Sequence, residues 1–194
     1  ERKVKNSIAV LPFDNMSPDK DNEYFADGLT EELLNVMAKE KELKVISRTS
    51  SFYYKDKNVP TNQIGRELNV EHILEGSVRK QGNDVRITAQ LIQVADGFHL
   101  WSETYDRELK DIFAVQDEIA QTIVKTLQID YIGHIKESAP VTSETSVEAY
   151  NLYLQGIHFQ DRRDEDGMRK ALSFFKKTLF KLGSCSICDG HGES

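Results

Sequence analysis

The sequence predicts an α/β domain in which parallel strands come first and an antiparallel meander follows, trailed by a linker and a helical hairpin. Three observations carry this. Up to Asn69, short apolar runs alternate with amphipathic stretches, and a strand–helix–strand order of that length implies parallel strands joined by crossovers. Three extended runs then follow in direct succession, separated by Gly82-Asn83 and Asp96-Gly97, both dipeptides of tight hairpins. Last, Lys110 to Gln128 places Ile112, Val115, Ile119, Ile123 and Leu127 at helical spacing on one face.

With 194 residues the chain can core one full domain and a smaller unit. Its 39% hydrophobic and 29% charged residues are ordinary for a globular protein, so neither class nor fold is forced by composition. The net charge of −7, with Lys and Arg dispersed among acids, argues against a nucleic-acid partner. No apolar run approaches a membrane span, and the charged start lacks a signal-peptide core. A first residue of Glu1 in place of Met reads as a piece of a longer protein. Both cysteines, Cys185 and Cys188, fall in the tail, so the main domain is expected to hold without disulfides and the redox compartment stays open.

Taken in order, Ser7 to Phe13 (SIAVLPF) is a buried strand ended by proline. Asp21 to Lys39 reads as helix, in one or two pieces around Ala26-Asp27-Gly28, with Leu29, Leu33, Val36 and Met37 on one face and Asp27 as an N-cap. Leu43 to Ser47 is a second strand, and the Ser/Thr cluster from Ser47 to Ser51 suits a short capped helix. Thr61 to Asn69 is another, capped by Thr61, with Ile64 and Leu68 buried. In the meander, Val85, Ile87, Ala89 and Leu91 alternate with polar residues, but the apolar phase slips to Ile92 and Val94, which suggests a bulge. The chain turns polar from Gly133 to Thr145, the expected domain boundary. Two helices follow, Ser146 to Gln160 and Asp166 to Leu182, with Ala171, Leu172, Phe175, Thr178 and Leu179 expected to face inward.

The strings SIAVLPFDNMSPDKDNEYFADGLTEELLNVMAK, LKVISRTSSF, IGRELNVEHILEGSVRK and VRITAQLIQVADGFHLWSETYDR together resemble the TolB-like amino-terminal domain. That module occurs in bacterial proteins described as adenylate cyclases or transcriptional regulators carrying tetratricopeptide repeats. The resemblance covers about two thirds of the chain, Lys5 to Leu127, and implies a three-layer α/β/α domain with a mixed five-stranded sheet, similar to an anticodon-binding domain. The family brings no established catalytic residues, so none transfers. Leu154-Gln155-Gly156 with Phe159, then Ala171, Phe175 and Thr178, resemble the opening of a tetratricopeptide unit, although the turn is long and the closing proline is missing. The expected organisation is a TolB-like domain over 5–132, a linker over 133–145, an incomplete repeat hairpin over 146–182 and a disordered tail over 183–194.

Several residues invite chemistry. Cys185, Cys188 and His191 have half the spacing of a zinc site, but a lone unit supplies too few ligands, and a disordered tail is the plainer reading. The acids Asp19, Asp21, Glu23 and Asp27 lack the glycine turn and closing Glu of a calcium loop, and helix-start acids explain them better. No Gly-x-Gly-x-x-Gly or Walker A pattern is present, and His72 and His99 have no nucleophile nearby. Asp14 and Asn15, with Arg48 and Thr49, follow the first two strands, where open α/β sheets bind ligands. They are the ligand candidates, with Arg48 the expected contact for a small anion, against capping and ion pairing as the plainer roles. Phe98, Trp101 and Tyr105 on one strand, and Tyr150 and Tyr153 on the first tail helix, are interaction candidates, against ordinary packing.

The expectation is therefore a non-catalytic interaction or regulatory module of a multidomain bacterial signalling protein, needing no cofactor. Protein partners or a second copy would bind it, on either the cytoplasmic or the periplasmic side of a membrane-anchored parent. A small-ligand sensor and an accessory segment of a nucleotide cyclase are the alternatives.

Overall fold

The structure, a computed structural model, describes residues 4–19, 22–127, 144–162 and 164–182. Cys185, Cys188 and His191, the tail 183–194 and most of the expected linker lie outside the described residues. The chain divides into two compact units, Glu1–Ser138 and Ala139–Ser194.

The first unit is built on a six-stranded mixed sheet. Strand β1 (Val4–Val10) lies between β3 (Lys44–Val45) and β4 (Val70–Gln81), parallel to both; β5 (Asp84–Gln93) and β6 (His99–Glu108) extend the sheet antiparallel from β4. Five strands form the continuous path expected, in the order β3-β1-β4-β5-β6. The sixth, β2 (Asp14–Asn15), resumes alongside β4 after the chain leaves β1 through Leu11 to Phe13. Pro12 hides this second strand from a periodicity reading, because it offers no N–H to the ladder. The Leu11 amide still donates to Leu74 (2.8 Å) and the Met16 amide to Val78 (2.7 Å), so both sides of the excursion stay anchored to β4.

Helix α1 (Glu23–Met37) runs unbroken through Gly28 and buries Phe25, Leu29, Leu33 and Met37. It starts four residues ahead of Asp27, so that side chain lies inside the helix rather than capping it. Helix α2 (Arg48–Phe52) is capped as expected by Ser47, whose Oγ accepts from the Ser50 amide at 3.4 Å. Helix α3 (Thr61–Glu67) is entered through Pro60, and the Thr61 hydroxyl donates to Glu75 (3.2 Å) instead of capping. Helix α4 (Ile112–Thr126) follows a 3-10 turn at Leu109–Asp111 and buries Ile112, Val115, Ile119 and Ile123, the predicted stripe.

Strand alternation sorts these into three layers. Ala9, Ile73 and Val94 point to one face, where they pack with Ile64 of α3 and with Tyr54. Val10, Leu74, Leu91 and Ile87 occupy the opposite register positions, along with Tyr105, which meets Thr122 of α4. Helix α1 packs on α4 on that side. The apolar phase change at Leu91-Ile92 thus marks where the sheet becomes covered on both faces. Against β4 the ladder of β5 is regular, and the register shift lies in its pairing with β6, between Leu91↔Trp101 and Ile92↔His99. Leu100 is the extra residue.

The second unit is a helical hairpin of α5 (Glu144–Asp161) and α6 (Glu165–Lys181). Asp164 caps α6, its carboxylate accepting from the Gly167 amide at 2.5 Å. Gly156 gives Phe175 room for close approach, since any Cβ there would meet the ring. Ala149, Leu154 and Ala171 are buried between the helices. Leu172 and Leu179, expected to face inward, are 55% and 48% exposed. The face of α6 toward α5 is set by the expected Ala171, Phe175 and Thr178 together with Phe174, which stacks on Phe159.

Candidate functional site

A cleft of about 740 Å³ opens where β1 ends. One wall is the excursion from Leu11 to Met16, the other the segment from Tyr54 to Thr61, and the floor is the sheet surface at Glu75, Gly76, Ser77, Thr88 and Gln90. This floor is bare because α3 covers only part of that sheet face. Asp14 and Asn15 stand on the wall. Arg48 and Thr49 are not brought to it. Arg48 Nε lies 3.1 Å from Glu31 of α1, and its guanidinium stacks 4.0 Å from the Phe52 ring, so the guanidinium is spent on joining α2 to α1.

The charged centre of the cleft is one that the sequence reading missed. Lys55 Nζ sits 2.5 and 2.7 Å from the two Asp27 oxygens and 2.8 Å from Glu23. Burial alone would lower the Lys55 ammonium, but the two carboxylates outweigh it and hold its pKa above the ordinary value. Next along, Lys57 stacks over the Tyr53 ring at 2.9 Å from its centroid. The Tyr54 hydroxyl donates to Glu67 at 2.5 Å, which with burial pushes its pKa up to about 12. The helix-start acids considered for calcium are thus partly accounted for: Glu23 and Asp27 hold Lys55, while Asp21 lies outside the described residues. Among the described residues no cluster of three or more His, Cys, Asp or Glu is placed to hold a metal ion.

Burial, then Glu23 and Asp56, raise the Asp14 carboxyl above 3.8. The folded chain therefore binds this proton more tightly than the unfolded chain. The group's contribution to stability is greatest below pH 3.8 and falls as pH rises through the raised value. Asp14→Asn, which cannot ionise, is expected to melt higher than the parent at pH 7, with the gain shrinking to nothing as pH falls below 3.8. Melting curves across that range check it, and identical curves at pH 7 would refute the assignment.

Two further surfaces are exposed. At the start of β6, Phe98 and Leu100 are 70% and 41% exposed. Trp101 is half-buried and donates to Glu103. Tyr105, grouped with them on sequence grounds, is only 2% exposed and belongs to the core: its hydroxyl donates to Glu103 (3.0 Å), and its ring lies by α4. Alternation explains the split, since the helix-side register that α4 covers at Tyr105 is left open at the strand's other end. On the hairpin, Tyr150 is buried while Tyr153 stays exposed beside Phe175. Along α6 and its C-cap, Met168, Leu172, Leu179 and Leu182 form an exposed apolar stripe at spacings of four, seven and three residues, all near one helix face. Among the described residues no helix is long and apolar enough to cross a membrane.

The fold so described is a three-layer α/β domain, with a helical hairpin as a second compact unit. Over residues 4–122 the chain matches the second domain of HilA/YgeH-like transcriptional regulators, and it belongs to that family. It is 48% identical over 152 residues to the protein described as "Putative adenylate cyclase 3" of Rhizobium meliloti (strain 1021), a match that takes in 78% of this chain. The chain spans about a quarter of the length of that relative, 26%. Among solved structures, TolB from Acinetobacter baumannii aligns at 16% identity with TM-score 0.46, over 62% of this chain and 28% of its own. Lipoprotein GNA1162 from Neisseria meningitidis aligns at 16% identity and TM-score 0.46, over 66% and 99%. The C-terminal domain of LpoB from Salmonella enterica aligns at 18% and 0.44, over 55% and 85%.

Proposed function

We propose that the chain is a non-catalytic regulatory module of a larger bacterial signalling protein, working through protein–protein contacts on its hairpin. The observation that carries this reading is the apolar stripe of α6. Met168, Leu172, Leu179 and Leu182 sit outward on a helix whose other face is already satisfied by α5. A stripe of that kind is worth burying, at roughly 25 cal/mol per Å² of apolar surface. The finer reading is that α5 and α6 form the opening unit of a tetratricopeptide array. The close helix approach at Gly156 and the small Ala171 in the interface support it. The membership in a regulator family, together with the cyclase name of the relative, supports an output domain elsewhere in the parent protein.

The test has two arms. The isolated chain with ATP and Mg²⁺ is expected to form no cyclic nucleotide, and turnover by it would overturn the non-catalytic reading. In the full-length parent, Leu172→Asp with Leu179→Asp is expected to cut the regulated output at least about fivefold, a coupling of the usual allosteric size. An unchanged response would sink the role of the stripe.

A second reading, ligand sensing, is favoured by the cleft beside Asp14 and Asn15. A small molecule that saturates it would raise the melting temperature, and Asp14→Asn, which changes the cleft wall, should alter that rise. No ligand-dependent shift across a metabolite screen would count against it.

A further inference from the structure

We infer that the outer edge of β6 pairs antiparallel with β6 of a second copy of this chain, about a two-fold axis at Tyr105. The two edges of the sheet are treated very differently. At one end, β3 is only two residues long, Lys44–Val45, which is a usual way of blunting an edge. At the other, β6 runs for ten residues, and among the described residues no strand pairs with its outer side. Two common guards against pairing are missing from it. There is no proline and no lysine between His99 and Glu108. Its one bulge sits at Leu100, leaving Trp101 to Glu108 regular. Asp106 does not act as a guard charge, because Arg86 neutralises it across the strand pair at 2.6 Å.

Hydrogen-bond direction identifies the free groups. The Leu109 amide donates to Asn83, directly opposite it, so Arg107, Tyr105, Glu103 and Trp101 spend their backbone groups on β5 in the same phase. The amides and carbonyls of Ser102, Thr104, Asp106 and Glu108 therefore face outward, and all four residues are exposed.

Charge selects the occupant and its register. Centred on Tyr105, an antiparallel copy sets Glu103 against the partner's Arg107 twice, once on each side of the axis. The same register sets Thr104 against the partner's Asp106, and Ser102 against the partner's Glu108. No like charges meet. Centring two residues lower instead would oppose Glu103 to its own copy and Arg107 to His99, which cross-strand energetics disfavour. The strand is thus complementary to itself in a register that also uses every outward backbone group between Ser102 and Glu108. This surface is separate from the α6 stripe, so Leu172→Asp is expected to leave it intact.

Sedimentation of the full chain over a dilution series tests the inference. A species of twice the 22.2 kDa chain mass is expected, dissociating on dilution. Thr104→Pro removes an outward amide while leaving the β5 ladder whole, which an edge strand tolerates. It should weaken the dimer at least about tenfold, the loss of roughly one or two hydrogen bonds, with unchanged circular dichroism. Glu103→Arg alone should also give monomer, and Glu103→Arg with Arg107→Glu should restore the dimer. A parent chain that stays monomeric, a dimer that survives Thr104→Pro, or a folded charge-swapped double variant that remains monomeric would each overturn it.

Discussion

Replacing Gly76 by valine is expected to destabilise the first unit by about 3 kcal/mol, at the upper end of core overpacking. Gly76 lies in the middle of β4 opposite Ala89 of β5, and this small pair leaves a slot in the sheet surface. The Phe13 ring fills the slot and is 1% exposed. A Cβ at residue 76 would collide with the Thr88 carbonyl as well as with that ring. The carbonyl belongs to the β4–β5 ladder and cannot step aside. The ring cannot move freely either, because the Phe13 amide donates to the Thr30 hydroxyl of α1 at 3.0 Å. Gly76→Ala should cost about 1–2 kcal/mol on the same grounds, and Phe13→Leu in that background should recover part of the loss because the two sites touch. Denaturant titration of the four variants reads this directly. An alanine cost below about 0.5 kcal/mol, or strict additivity, would show that the slot relaxes. Gly76 and Phe13 also line the cleft, so a variant that folds should show an altered floor there.

What could be read from the sequence was what neighbours along the chain decide. Both hairpins follow from Gly82 and Gly97, whose φ values of +59 and +77° glycine adopts without steric cost. The stripe of α4 was legible because the same helix face stays against the core from Ile112 to Ile123. The Ser47 cap was legible because its partner is three residues away.

The misreadings have the opposite character. Asp27 looks like a cap because Gly28 and two acids follow it. Its actual partner, Lys55, lies 28 residues on, and only the fold brings them together. For Arg48 the sequence leaves an anion contact open beside the plainer ion pair, and only the arrival of α1 with Glu31 supplies that pair. Tyr105 looks like a surface aromatic until α4, arriving later in the chain, lies by it. Leu172 and Leu179 look inward because they border the stripe of Ala171, Phe175 and Thr178 that does meet α5, and periodicity does not set how wide a face α5 covers. Each error is a long-range pairing, and site residues are defined by such pairings, so the fold was more legible than the cleft.

Lys55→Met is expected to destabilise the chain by about 2 kcal/mol at pH 7, the cost of leaving largely shielded carboxylates without their cation. Asp27 is nearly buried within α1, and the Lys55 ammonium bridges it to Glu23 one helical turn before it. With the cation gone, burial penalises the charged form of Asp27 with no compensating partner, so in the variant that carboxyl is expected to take up a proton more readily in the folded state than in the unfolded one. A raised carboxyl pKa stabilises the folded state as pH falls. The deficit of Lys55→Met should therefore shrink between pH 7 and about 4, where model carboxylates titrate. In the parent chain the Lys55 pKa is itself raised, so the stability it contributes is fully present below pH 10.5 and is lost only as pH climbs through the raised value. The two dependences run in separate windows, which makes the cause identifiable. Unfolding free energies of parent and variant across both windows give the measurement. A deficit constant from pH 4 to 7 would mean that Lys55 acts by packing its stem rather than by pairing with the buried Asp27 carboxylate, and the cleft would then lack the fixed ionic centre assigned to it.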